Sequence, residues 1–150
     1  MKIEEEIQQG KFSSEFQKAH VNILFTAAWL NQESTKILKP YGISVQQFNI
    51  LRILKGMNPK PATIKILTER MIDKMSNASR LVDKLEQKGL VTRTECDSDR
   101  RRVDVSITIK GLSLIDDASK AMQETMHVKA GTLTIENARS LNELLDQIRA

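Results

Sequence analysis

Ser76, Asn77, Ser79 and Arg80 stand within five consecutive positions, interrupted only by the small apolar Ala78. Their side chains are short hydrogen-bonding groups and one guanidinium, a set suited to base edges and phosphate. An amide like that of Asn77 can pair bidentately with adenine, and a guanidinium like that of Arg80 with guanine or phosphate. Lys84, one helical turn further on, suits the phosphate backbone or solvent. A second group follows later in the chain, where Asp99 precedes Arg100, Arg101 and Arg102. Three adjacent cations repel one another, so the run does little for stability. At the turn of a ribbon it can enter a minor groove, where negative potential attracts arginine. Asp99 is expected to brace one guanidinium by a charge-assisted hydrogen bond. A polar helix start or a solvated hairpin could carry the same residues with no ligand, so the elements that hold them decide.

Those elements are legible from periodicity. Phe12, Phe16, Ala19, Ile23, Ala27, Leu30 and Ile37 recur at helical steps, with no Pro or Gly until Pro40 and Gly42. A helix over about Ser13–Lys39 follows, roughly 40 Å long and longer than one small lobe requires. Ser44 with Gln47 forms a capping-box pattern that opens a second helix to about Lys55. Gly56, Asn58, Pro59 and Pro61 then break the chain. A short helix over about Thr63–Arg70 is followed by a polar turn, Ile72–Ser76. The next helix runs to about Lys88, capped by Asp73 or Ser76, with Ala78, Leu81, Val82 and Leu85 inward and Gly89 as its stop.

After Gly89 the period changes. Leu90–Arg93 reads as a short strand, and Val103, Val105, Ile107 and Ile109 alternate with polar residues in a second. The intervening Glu95–Arg102 is too polar to bury. Helical periodicity resumes from Gly111 through Leu112, Ile115, Ala118 and Met122, and a last helix starts near Ile135 with Thr134 as N-cap. The expected fold is mainly α with a small β-wing: a winged helix-turn-helix lobe over about 44–111, with dimerisation helices over about 12–40 and 112–149. In such a motif the second helix enters the major groove and the first crosses the backbone.

Charge agrees with this placement. Ser44–Lys110 holds 14 Lys and Arg against 8 Asp and Glu, whereas the rest of the chain holds 9 against 11. A basic middle between mildly acidic ends suits a polyanion. Hydrophobic residues at 40% and charged residues at 28% are ordinary for a globular chain rather than a disordered one. Aromatics make up only 4%, so the core must be mainly aliphatic. Met1–Gly10 is acidic and polar, unlike a secretory signal, and Val21–Leu30 is too short to span a bilayer. With a single cysteine, Cys96, the expected compartment is the reducing cytoplasm.

Ser76–Val91, then Asp99-Arg100-Arg101, then Thr108-Ile109-Lys110-Gly111 resemble the signature of the MarR-type regulators. The specificity of the likeness lies mainly in residues 71–111; the flanking helices match in length and pattern. The resemblance implies a homodimer with interlocked N- and C-terminal helices that displays two winged lobes to double-stranded DNA. It implies a pseudo-palindromic operator, usually repression, and often release by a small phenolic or other aromatic effector. It also makes Arg101 the expected minor-groove contact and Asp99 its brace. An effector pocket near His20, Ile23 and Phe48 is expected from the same family architecture.

Other readings fare worse on the residues. A thiol-based oxidation sensor needs an activated cysteine, but Glu95 and Asp97 flank Cys96 and oppose the pull of the basic turn. Two histidines far apart, His20 and His127, give no metal-ligand pattern. No nucleophile elbow, phosphate loop, dinucleotide fingerprint or zinc-protease motif is present, so no enzyme is expected and no cofactor. A winged module that binds protein instead of DNA would have no reason to keep both a basic wing and a polar recognition face.

Overall fold

The computed structural model describes residues 1–150. A short α1 (Ile3–Glu6) precedes the long α2 (Glu15–Leu38), which continues through a 3-10 turn (Lys39–Tyr41) to Gly42 in a left-handed conformation. Then come α3 (Val45–Met57), β1 (Ala62–Thr63), α4 (Ile64–Arg70), α5 (Ala78–Gln87), β2 (Val91–Cys96), β3 (Asp99–Ile107), α6 (Ile109–Lys129) and α7 (Ile135–Ile148). The architecture is mainly α with a small antiparallel sheet in the order β1-β3-β2.

Local chemistry sets most of the boundaries. Ser44 accepts from the Gln47 amide and Gln47 returns the bond to the Ser44 N–H, the reciprocal box that starts α3. Thr63, Thr108 and Thr134 cap α4, α6 and α7 in the same one-sided way, each hydroxyl accepting an amide three residues on. Gly89 takes φ +72° after α5, a conformation without steric cost only for glycine. Thr108 also donates its hydroxyl to the Gly89 carbonyl at 2.7 Å. Gly111 lies where a Cβ would come within 2.2 Å of the Leu90 carbonyl oxygen. The Thr-x-x-Gly sequence therefore lets α6 begin directly against the foot of the wing.

The core belongs almost wholly to the lobe. Leu51, Leu54, Leu67, Met71, Val82, Leu85, Leu90, Val91, Val105 and Ile115 are all buried in one cluster. From α2 only Leu38 joins it, and α7 buries no residue at all and packs extensively against no other element. Phe16, Leu24, Leu30, Ile135, Leu141, Leu144 and Ile148 are exposed along these outer helices.

Three expectations need correction. The strand β1 was not foreseen: Ala62 pairs with Val105 and Thr63 with Asp104, making a third strand. The cap of α5 is neither Asp73 nor Ser76 but Asn77, whose side-chain oxygen accepts from the Arg80 amide at 3.1 Å. Asp73 closes the preceding turn instead, accepting from the Met75 amide. Finally, the ribbon turns at Asp97–Ser98, so Arg100–Arg102 lie on β3 rather than at its tip.

Candidate nucleic-acid interface

The first turns of α5 are presented outward by burial of the opposite face. Ala78, Val82 and Leu85 pack inward, while Arg80 and Lys84 are exposed and Ser79 is half-buried. Ser76, Asn77, Arg80 and Lys84 line one open groove of about 270 Å³ together with Gln46, Asp73 and Leu81. Ser79 is not among its lining residues. Because the Asn77 carbonyl oxygen is engaged as a cap, bidentate pairing with a base would break that bond; its amide NH₂ is the group left to donate.

The wing carries its arginines on an irregularity. Glu95 faces Val103 and Cys96 faces Asp99, so Arg100, Arg101 and Arg102 intervene on β3 where β2 has no residue between the partners. An extra stretch of this kind bends a strand and re-aims its side chains. All three arginines are exposed. Asp99 does not brace a guanidinium as expected. Its carboxylate accepts from the Arg101 backbone N–H at 3.0 Å and so sets the chain direction at Arg101. The guanidinium that is paired is that of Arg102, with Asp104 at 3.3 Å.

Recognition helix and wing are clipped together by contacts that sequence reading missed. The Arg93 guanidinium of β2 pairs with Asp83 of α5, and the Arg93 amide donates to Glu86 at 3.0 Å. Asn49 of α3 accepts from the Ile72 amide at 2.9 Å and holds the turn ahead of α5. Gln46 enters the groove from a helix some thirty residues earlier. No local spacing announces such partners, since each pair is joined only by the tertiary fold.

Cys96 is half-buried, with its sulfur 3.1 Å from the Ser98 hydroxyl. Hydrogen bonding from Ser98, side chain first and then backbone, holds the thiol below its ordinary range. No cluster of three or more His, Cys, Asp or Glu side chains is placed to hold a metal ion. No helix is long and apolar enough to cross a membrane.

The expected effector pocket is not assembled as drawn. Phe48 does border a cavity of about 300 Å³, but its other walls are Arg52 of α3 and Ser119, Met122, Gln123 and Met126 of α6. Neither His20 nor Ile23 takes part; His20 is exposed on α2 and Ile23 half-buried there. The periodicity of α2 located its apolar stripe but not which helix would close over Phe48.

Comparison with known proteins gives one consistent answer. The MarR family model matches residues 43–103, the lobe from the start of α3 into the wing. The transcriptional regulator MgrA of Staphylococcus aureus is 29% identical over 115 residues, covering 77% of this chain and 76% of MgrA. A MarR transcription factor from Planctomyces limnophilus is 27% identical with a TM-score of 0.70, covering 91% of this chain and 99% of that one. The organohalide-sensing regulator RdhR-CbdbA1625, solved with 2,4-dichlorophenol bound, shares the fold at 21% identity and a TM-score of 0.82, over 94% of this chain and 85% of that one. The winged lobe, the polar groove at the start of α5 and these relatives together support a DNA-binding transcriptional regulator of the MarR family, whose model matches residues 43–103.

Proposed function

We propose that the chain is a cytoplasmic homodimeric repressor of a pseudo-palindromic operator, released when a small aromatic molecule binds. The observation that carries the DNA-reading part is the single groove lined by Ser76, Asn77, Arg80 and Lys84. In this reading the start of α5 meets base edges in the major groove while Arg100, Arg101 and Arg102 follow the adjacent minor groove or its phosphates. Asp99 acts as a positioning residue through the Arg101 backbone, and Ser79 touches DNA only at the edge of the contact.

Dimerisation is supported by the outer helices. An α7 with Leu141, Leu144 and Ile148 exposed, and no element of its own chain to cover them, needs a partner of matching shape. A second copy would also place two lobes on successive major grooves, about 34 Å apart. Residues 44–111 would then be the reading lobe and the segments on either side the pairing helices.

The effector is assigned to the cavity between α3 and α6. Phe48, Met122 and Met126 offer apolar and polarizable walls, and the Arg52 guanidinium stands 5.9 Å from the Phe48 ring centroid. The dichlorophenol seen in RdhR-CbdbA1625, a protein of the same fold, supports an aromatic ligand of this size. Occupancy there would shift α6 against α3 and so the lobe against the pairing helices.

The test is binding of the purified chain to genomic duplexes at two ionic strengths, with and without a panel of substituted phenols. A preference for particular pseudo-palindromic fragments, weakened by salt and by one or more phenols, is the expected result. Equal affinity for all fragments would overturn the operator reading, and phenol-insensitive binding would overturn the effector reading.

A further inference from the structure

The turn between α4 and α5 holds two large apolar side chains in the open: Ile72 is 82% exposed and Met75 92%. Their neighbour Met71 is fully buried, so the chain has turned its apolar surface outward immediately after closing the core. The backbone keeps it there. Asn49 accepts from the Ile72 amide, Asp73 accepts from the Met75 amide at 3.0 Å, and the Ser76 amide donates to the Asp73 carbonyl at 3.2 Å. The last bond makes Lys74 and Met75 the corners of a β-turn, and the Lys74 ammonium is tied back to the Glu69 carbonyl. The turn ends on Asn77, the cap of α5.

Apolar area held in water without cover is unfavourable. A single exposed apolar residue needs no explanation. Two on one tied turn, beside the groove of Asp73, Ser76, Asn77 and Arg80, call for an occupant. The surrounding charge indicates which. Lys65, Arg70, Lys74, Arg80 and Lys84 outnumber Glu69, Asp73 and Asp83 in the same segment, which favours a polyanion over a neutral or basic protein surface. Since the start of a recognition helix leads into the major groove, the turn ahead of its cap travels with it. The one apolar group displayed on that groove floor is the 5-methyl of thymine.

We propose that Ile72 and Met75 are specificity-determining residues that pack on thymine 5-methyl groups within each half-site. This rests on the operator reading above. The polar groups of Ser76, Asn77 and Arg80 read donors and acceptors, while this pair reads methyls that they cannot sense. Met75, unbranched and polarizable, adapts to small differences in methyl position; Ile72 is the stiffer reader.

The experiment uses duplexes that the full-length chain selects from a random pool, with each thymine of a half-site replaced in turn by deoxyuridine. Deoxyuridine keeps every hydrogen-bonding group and removes only the methyl. Wild type should lose affinity about fourfold at one or two positions, the equivalent of one buried methyl-sized group. Ile72→Ala and Met75→Ala, with melting temperatures unchanged, should each bind the thymine duplex more weakly and lose the deoxyuridine penalty at one of those positions. Met75→Gln, of similar length but polar, should behave like Met75→Ala. Wild-type indifference to deoxyuridine at every position would overturn the proposal while leaving the operator reading intact. So would variants that bind DNA as wild type does, which would mark the turn as a protein-docking surface instead. If no duplex is selected from the pool, the operator reading itself fails, and this proposal with it.

Discussion

The lobe and the outer helices use apolar residues in opposite ways. In the lobe, Leu51, Leu54, Leu67, Val82 and Leu85 disappear into one core. On α7, Leu141, Leu144 and Ile148 remain in the open. The helical periods are equally clear in both, so amphipathicity alone does not say whether a face is satisfied within the chain. What differs is closure. The lobe has helices and a three-stranded sheet on every side of its core, whereas α2 and α7 present stripes that the chain never covers. A region closed within the chain and a region proposed to be completed by a second copy should therefore answer mutation differently.

The largest effect should come from pairing. Leu144→Asp or Ile148→Asp places a carboxylate in the proposed dimer seam and should give monomers in sedimentation velocity. Operator affinity should fall about a hundredfold as two linked lobes become one. The lobe should remain folded, with its denaturation midpoint near that of wild type extrapolated to low concentration. A variant that stays dimeric would remove α7 from the seam.

Within the lobe, Leu85→Ala and Gly111→Ala should act on stability directly. Leu85 is fully buried, and its truncation should cost about 3 kcal/mol. The Gly111 methyl would collide with the Leu90 carbonyl, and the cost of forcing α6 from the wing should be about 2 kcal/mol. Urea denaturation measures both, and a change below about 0.5 kcal/mol in either would contradict the packing described.

At the interface the two effects separate again. Arg101→Ala should weaken operator binding about tenfold in a polarisation assay, the usual loss for one groove contact, with stability within about 0.5 kcal/mol of wild type. Asn77→Ala should lower stability by about 1 kcal/mol because the cap is lost. Asn77→Ser keeps a capping oxygen and should restore stability. Any change in sequence preference that survives in the serine variant then reports base reading rather than helix fraying.

The smallest expected effect concerns acid. Glu33 of α2 pairs with Lys129 of α6 and with Lys36, at 2.7 Å for the latter, and these partners, Lys129 first, hold its carboxyl at about 2. The Lys129 ammonium also stands 5.3 Å from the Trp29 ring centroid. A lowered carboxylate value means that stability is fully present above its ordinary value of 4.5 and is lost as pH falls towards 2. Glu33→Gln should flatten that part of the pH–stability curve and leave the curve above pH 5 nearly parallel to wild type. An unchanged slope between pH 4.5 and 2 would show that the α2–α6 tie does not contribute.

Which features were readable in advance follows from the range of the interactions involved. Ser44 with Gln47, Thr134 and Gly89 act within three or four residues, so their roles stand in the sequence itself. The Asn77 cap was missed because Asp73, Ser76 and Asn77 are all good caps, and only the fold of the preceding turn assigns Asp73 to Met75. The strand β1 is two residues long and exists only by pairing with residues 104 and 105. The arginine run was legible as chemistry but not as geometry, since its place beyond the Asp97–Ser98 turn depends on strand register. The cavity at Phe48 failed for a similar reason: four of its lining residues come from α6, some seventy residues away in sequence.

In the proposed dimer, two lobes are held at a fixed separation by helices that the second copy covers. Its most direct test is affinity for the selected operator against the same duplex with about 5 bp, half a helical turn, inserted at the dyad. Rotating one half-site to the opposite face should reduce affinity to nearly that of a single half-site. Undiminished binding to the lengthened duplex would contradict the paired-lobe arrangement.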